Sequence, residues 1–217
     1  IIVFTLNTVP YDKLRKKLVV PLRLRCRIPF FEGKDASMLN RDFDHLSTLA
    51  HHFFEREDIR QKLNIIDQYN ISGWEVWMQI EFANLLASTG HEWWREQTLA
   101  CDLRKNPQRL SVRADFLLRK KGWTQDSYIA LELKQNRDPT SCVRNMIADL
   151  VKSAKIKRSE LELRSFWTLG VTPRIDKERL DELIDYYLDE KYYLTKSRKK
   201  HVLLRDIEHT PYCYIVI

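Results

Sequence analysis

Residues 113–135 read RADFLLRKKGWTQDSYIALELKQ. Apolar and polar residues alternate on both sides of KKGWTQD, a pattern that predicts a β-hairpin. Opposed residues in an antiparallel pair have numbers with a constant sum, here about 247 for a turn centred on Trp123 and Thr124. That register sets Phe116 opposite Leu131, Leu118 opposite Ile129 and Ala114 opposite Leu133, which makes one apolar face. Arg113, Asp115, Leu117 and Arg119 fall on the other face, with Ala130, Glu132 and Lys134. A slip of one residue would break both sets.

The same register sets Asp115 opposite Glu132, with Cβ atoms about 5 Å apart. Two carboxylates at that distance repel, and a divalent cation between them removes the conflict. Oxygen ligands of this kind suit Mg²⁺ or Mn²⁺. Lys134 lies two residues beyond Glu132, on the same face. An ammonium there can orient or deprotonate a nucleophilic water and stabilise charge building on phosphorus. The competing reading is an exposed salt-bridge cluster, which a Glu-x-Lys triplet alone does not exclude. The register-matched Asp115 and the helices predicted on both sides weigh for a site.

Outward from the hairpin, Phe43, Leu46, Leu49, Phe53 and Ile59 recur at helical spacing, so residues 40–63 read as one helix. Residues 73–88 read as an amphipathic helix stopped by Gly90. HEWWREQTL (91–99) and SVRADFLL read as strands, as does LRLRCRI (22–28). DPTSCVRNMIADLVKSAKIK opens on a helix start signal. SFWTLGVT reads as a buried strand, DKERLDELIDYYLDE as a helix, and CYIVI as a last strand. From Gly73 to Thr172 the order is helix, three strands, helix, strand. It predicts an α/β (α+β) fold: an antiparallel meander joined through a helical crossover to a fourth strand, giving a mixed sheet of four to five strands flanked by helices. Residues 1–70 read as a partly helical N-terminal extension and 71–217 as the main domain.

A glutamate on a helix, an aspartate, then Glu-x-Lys resembles the PD-(D/E)XK nuclease superfamily. The resemblance covers about residues 71–172, through Glu81 in QIEFANLL, Asp115 in RADFLL and Glu132-Leu133-Lys134 in ALELKQ. Ala114 stands where the family usually has proline. The resemblance implies a restriction-endonuclease-like core. It also implies Asp115 and Glu132 as metal ligands, the Leu133 backbone carbonyl as a further one, and Lys134 acting on the nucleophilic water. Glu81, nine residues before Gly90, is the expected helix glutamate. Glu75 lies about 120° away around the helix and shares a face with Gln79, as a supporting or capping pair. Gln135 points away from Glu132 unless the strand ends there. Asn145, Asp149 and Lys152, at i, i+4 and i+7, form either a solvated helix face or a wall of the site. Arg113 either holds a phosphate or pairs with Glu132 or Glu75.

The chain has 217 residues, 44% hydrophobic and 31% charged, with a formal net charge of +7 and a pI near 9.2. This balance favours a polyanionic partner, nucleic acid first. Candidate backbone contacts are Arg23, Arg25 and Arg27, then Lys155, Lys157 and Arg158, then Lys196, Arg198, Lys199 and Lys200. No apolar run approaches the roughly 20 residues of a membrane span, and IIVFTLNTVP does not read as a signal peptide. Four dispersed cysteines (26, 101, 142, 213) suggest neither disulfides nor a zinc site, and point to a reducing, cytoplasmic setting. One of Trp93 and Trp94 should face the core and the other should not. His51-His52 has no matching metal ligands.

The expectation is therefore a Mg²⁺-dependent phosphodiesterase, with Mn²⁺ as substitute. It is expected to cut DNA in preference to RNA, as an endonuclease in preference to an exonuclease. The alternatives are an RNA nuclease of toxin-like character and a binding module without catalysis. Residues 1–70 are a candidate surface for a homodimer or another protein partner.

Overall fold

The computed structural model describes residues 36–100, 111–123, 127–153, 156, 163–189 and 200–217. The elements, in chain order, are α1 (Ala36–Glu55), α2 (Glu57–Gln68), α3 (Glu75–Ser88), β1 (Glu92–Arg95), β2 (Thr98–Ala100), β3 (Ser111–Arg113), β4 (Phe116–Arg119), β5 (Tyr128–Gln135), α4 (Pro139–Ser153), β6 (Leu163–Pro173), α5 (Lys177–Asp189), β7 (Leu203–Asp206) and β8 (Tyr212–Val216). The hairpin closes in the register set by its apolar pattern, with Phe116 opposite Leu131, Leu117 opposite Ala130 and Leu118 opposite Ile129.

The fold is mixed α/β. A six-stranded sheet runs β1-β4-β5-β6-β8-β7. β1, β4 and β5 form the antiparallel meander, and α4 carries the chain across to β6, which lies parallel to β5. The strand count exceeds the expected four to five because VLLRD of the basic tail supplies β7 against β8. Among the described residues, no helix is long and apolar enough to cross a membrane.

Alternation along the strands sorts two cores. Ile129, Leu131 and Leu133 of β5 and Trp167, Leu169 and Val171 of β6 face α1, α2 and α3. Ala130 and Phe166 face α4 and α5. The period of two therefore sends Glu132 and Lys134 to the α4 side, the only way to bury their neighbours on the other. Fully burying a side chain of the size of Trp167 or Phe116 contributes roughly 1.5–3 kcal/mol.

Four expectations need correction. Residues 36–70 are not a separate extension: Leu46, Phe53, Ile59 and Leu63 share one cluster with Phe116, Leu131 and Trp167. The helix expected at 40–63 is two helices, broken at Arg56, whose backbone is extended (φ −63°, ψ 123°). HEWWREQTL is two strands, because Glu96 has a positive φ of 53° that turns β2 out of the main sheet. Opposite that kink SVRADFLL also divides, so β2 and β3 pair as a separate ribbon. Ala114 consequently packs in the α4-side core, not beside Phe116. The expected strand at 22–28 lies outside the described residues.

Buried Asp42 locks α1 to the sheet. Its Oδ1 accepts from Arg164 Nε at 2.5 Å and its Oδ2 from Ser165 Oγ at 2.7 Å. Trp167 Nε1 donates to the same Ser165 hydroxyl at 2.7 Å.

Candidate active site

Asp115 sits at the break between β3 and β4. The backbone N–H of Glu96 donates to its carbonyl at 3.2 Å. Its side chain turns toward β5, where Oδ2 accepts the Leu133 N–H at 2.7 Å. Continuing the β4–β5 register sets Asp115 opposite Glu132. Glu132 is 7% exposed. Burial pushes its carboxyl up to about 8; the charge of Asp115 and that of Asp149 push the same way, and Lys134 pulls against them.

Lys134 stands amid acceptors. Its Nζ lies 3.4 Å from Glu132 Oε2 and 3.1 Å from Asp149 Oδ2, and it donates to the Leu133 carbonyl at 3.1 Å. Burial disfavours the ammonium, yet Glu132, Asp149, Glu75 and Asp115 together hold it charged, well above the usual lysine range. Asp149 comes from α4, where a period of 3.6 brings Asn145, Asp149 and Lys152 to one face. Lys152 Nζ bonds the second oxygen of Asp149.

Glu132, Lys134, Asp149 and Lys152 line a cleft of about 440 Å³, whose walls also include Arg113 of β3 and Asn145 of α4. Arg113 lies at the rim and bonds Glu96 Oε2 at 3.0 Å, not Glu132 or Glu75. The face reading of Asn145, Asp149 and Lys152 therefore resolves toward the cleft wall.

The helix glutamate in this cleft is Glu75, not Glu81. Glu75 opens α3, and its Oε2 accepts the Gln135 N–H at 3.3 Å. Burial raises its carboxyl, and the charges of Asp115 and Asp149 act in the same sense, against Lys134 and the Gln135 bond. Glu81 lies elsewhere: Lys62 Nζ reaches it at 2.6 Å and Arg56 Nη2 at 3.2 Å, and Lys62 holds its carboxyl below the usual range. The break at Arg56 is what delivers that guanidinium to Glu81. Gln79 is also outside the cleft, accepting from Arg95 Nη2 at 2.8 Å. Gln135 contributes its backbone N–H.

Lys155, Lys157, Arg158, Lys196, Arg198, Lys199, Arg23, Arg25 and Arg27 lie outside the described residues, and Lys200 is exposed. Trp93 packs on Phe116, with centroids 6.2 Å apart; Trp94 is 39% exposed and meets Tyr128 edge-on at 5.1 Å. His51 is engaged by Glu55 at 2.9 Å.

Among the described residues, no three His, Cys, Asp or Glu side chains form a ready-made metal shell. The donors at hand are the carboxylates of Asp115 and Glu132 and the Leu133 carbonyl, an all-oxygen set of the kind hard divalent cations take. Burial, with the charges of Asp115 and Asp149, raises the Glu132 carboxyl, and a divalent cation beside it would favour its charged form. The donor set thus fits Mg²⁺ or Mn²⁺. Comparison with protein-family models, with curated proteins and with solved structures found no match.

Proposed function

We propose that this chain is a divalent-metal-dependent nuclease with a restriction-endonuclease-like core, hydrolysing phosphodiester bonds in nucleic acid, DNA before RNA. One observation carries the reading. Asp115 is tied to the strand that carries Glu132 and Lys134, in a meander joined through a helix to a parallel strand, and Glu132 and Lys134 line a cleft together with Glu75. The buried Glu132 carboxyl, raised beside a second carboxylate, is the kind of perturbed group that clefts with a chemical role carry.

Asp115, Glu132 and the Leu133 carbonyl would hold Mg²⁺ or Mn²⁺, with Glu75 beside them, and the ion when bound supplies Lewis-acid activation of water and charge neutralisation at the phosphate. Leu133 N–H fixes one oxygen of Asp115, which orients the other. Lys134, kept charged by its carboxylates, acts as a donor rather than a base: it orients the attacking water and stabilises charge on the phosphoryl oxygens. Asp149 holds that ammonium in place. Lys152 and Arg113, at the cleft wall, offer cations to flanking phosphates. The net charge of +7 suits the same polyanion.

The test is incubation of supercoiled plasmid, linear duplex, single-stranded DNA and structured RNA with EDTA, Mg²⁺ or Mn²⁺. Wild-type chain is compared with Lys134→Ala and Asp115→Asn. Metal-dependent cleavage abolished in both variants is the expected result, and cleavage of circular substrates identifies an endonuclease. Undiminished cleavage by either variant, or a gel shift without cleavage under every metal, overturns the proposal.

A further inference from the structure

The sheet face that carries Glu132 and Lys134 continues past the cleft. Tyr128 and Ala130 alternate onto that same side of β5 and pack on the α4-side core. The strand registers set Leu117 opposite Ala130 and Trp94 opposite Leu117. Trp94, Leu117 and Ala130 therefore form the row next to Asp115 and Glu132, one pleat repeat or about 7 Å along the strands. Tyr128 lies one row further, about 13 Å along β5 from Glu132.

Trp94, Gln97, Leu117 and Tyr128 line a pocket of about 180 Å³. Trp93 packs into the other core, whereas Trp94 is exposed and meets Tyr128 edge-on. An edge-on contact leaves ring face for a further planar group. The lining carries no formal charge, so it suits the flat face of a nucleobase and not a phosphate. The Gln97 amide both donates and accepts, as base edges require. Cations flank the pocket. The Arg119 guanidinium lies 5.2 Å from the Tyr128 ring centroid, and Arg113 and Lys152 stand at the cleft. The nearby carboxylates Glu92 and Glu96 are paired with Arg119 and Arg113. Aromatic faces beside a cationic groove are the combination that holds single-stranded nucleic acid.

We propose that the Trp94–Tyr128 pocket stacks an unpaired base of the nucleic acid whose phosphate enters the cleft, so that the chain selects single-stranded segments over intact duplex. A base inside a duplex is already stacked on both faces and enters only at the cost of unstacking. The distance from the pocket to the carboxylate pair spans about two to four nucleotides at a rise of about 3.4 Å. The inference rests on the nuclease reading for the position of the reacting phosphate, but its binding test needs no cleavage.

Fluorescence anisotropy of the full chain, in EDTA and in Ca²⁺, with a labelled DNA single strand, the same sequence as RNA and the blunt DNA duplex tests it. A single strand should bind more tightly than the duplex, and the better bound of DNA and RNA names the substrate class. Trp94→Leu keeps apolar bulk without a ring face and should weaken single-strand binding about tenfold, with duplex binding unchanged. Trp94→Phe should restore most of the loss. Equal single-strand affinity in wild type and Trp94→Leu overturns the proposal, as does the absence of any preference for a single strand. A dimer in analytical ultracentrifugation that Trp94→Leu dissociates, with oligonucleotide binding unchanged, overturns it in favour of a second copy at this patch. Trp94-dependent single-strand binding without cleavage under any metal supports the pocket and overturns the nuclease reading alone. Metal-dependent cleavage of single strands to the same extent by wild type and Trp94→Leu, with equal affinities, overturns the pocket alone.

Discussion

Leu133 donates its backbone N–H to Asp115 Oδ2 at 2.7 Å, tying the aspartate to the residue between Glu132 and Lys134. The tie crosses between β5 and the end of β4, so Asp115 cannot swing away from Glu132 without losing a charge-assisted hydrogen bond. Burial raises the Glu132 carboxyl, so that below about 8 it keeps a proton beside Asp115, and a cation that enters must displace that proton.

The first prediction concerns pH. The Glu132 carboxyl stands at about 8 in the folded chain against an ordinary value of 4.5, so between those values the folded chain keeps a proton that the unfolded chain releases. Its contribution to stability is fully present below the unfolded value and is lost as pH rises through the folded one. The melting temperature should therefore fall as pH rises from about 5 to about 8, and Glu132→Gln should flatten the slope. Added Mg²⁺ or Mn²⁺ should raise the melting temperature more at the upper end of that range than at the lower. Differential scanning calorimetry across the range checks both. An unchanged slope in Glu132→Gln would remove the basis for a cation at this pair.

The second prediction separates the two helix glutamates. Glu75→Gln should lower metal-dependent cleavage by roughly 10–100-fold, the range seen when a group supporting a metal site is lost. Glu81→Gln should leave cleavage intact and cost at most about 1 kcal/mol, since its partner Lys62 is 41% exposed. Single-turnover rates and urea melts of the two variants give the comparison. The opposite pattern would return Glu81 to the site.

The contrast shows what the sequence could say. The β4–β5 register was readable because six apolar positions had to reach one core or the other, and that constraint set Asp115 against Glu132. The choice between Glu75 and Glu81 was not readable, because both lie on an amphipathic helix and no local pattern says which face meets the sheet's acidic end. What decides it is Arg56, 25 residues before Glu81, whose guanidinium claims that carboxylate from across a helix break. The positive φ of Glu96 had no sequence signal either, since glutamate rarely adopts it, and so the β2–β3 ribbon read as a continuation of longer strands. Asp149 was visible as a face position of α4, but its bond to Lys134 depends on how closely α4 lies on the sheet.

A third prediction concerns Asp42, which carries a buried charge and no catalytic duty. Its carboxylate bridges α1 to Arg164 and Ser165 of β6. Asp42→Ala removes a buried carboxylate together with its charge-assisted and hydroxyl bonds to β6 and should cost roughly 3–5 kcal/mol. Ser165→Ala, which removes a neutral donor to Asp42 and the acceptor of Trp167 Nε1, should cost less, roughly 1–3 kcal/mol. Chemical denaturation of the two variants decides the order. Equal losses would mean that the ion pair contributes no more than the hydroxyl.

The last prediction tests that close approach of α4. Gly170 pairs with Lys134 across β5 and β6, and a Cβ on it would meet Met146 Sδ at 2.3 Å and Cys142 Sγ at 3.1 Å. Alanine there must push α4 outward or force Met146 into another rotamer, an overpacking cost of roughly 1–3 kcal/mol. Asp149 rides on the same helix and reaches Lys134 at 3.1 Å, so any outward movement also loosens the ammonium over the carboxylate pair. Gly170→Ala should therefore lower cleavage under conditions where the variant is still fully folded. Combining it with Met146→Ala should make room for the methyl, so that the double variant loses less stability than the sum of the two single changes. Cleavage rates and denaturation midpoints for the three variants form the cycle. Strict additivity, with wild-type cleavage by folded Gly170→Ala, would mean that the α4 contact sets stability alone and leaves Lys134 where it was.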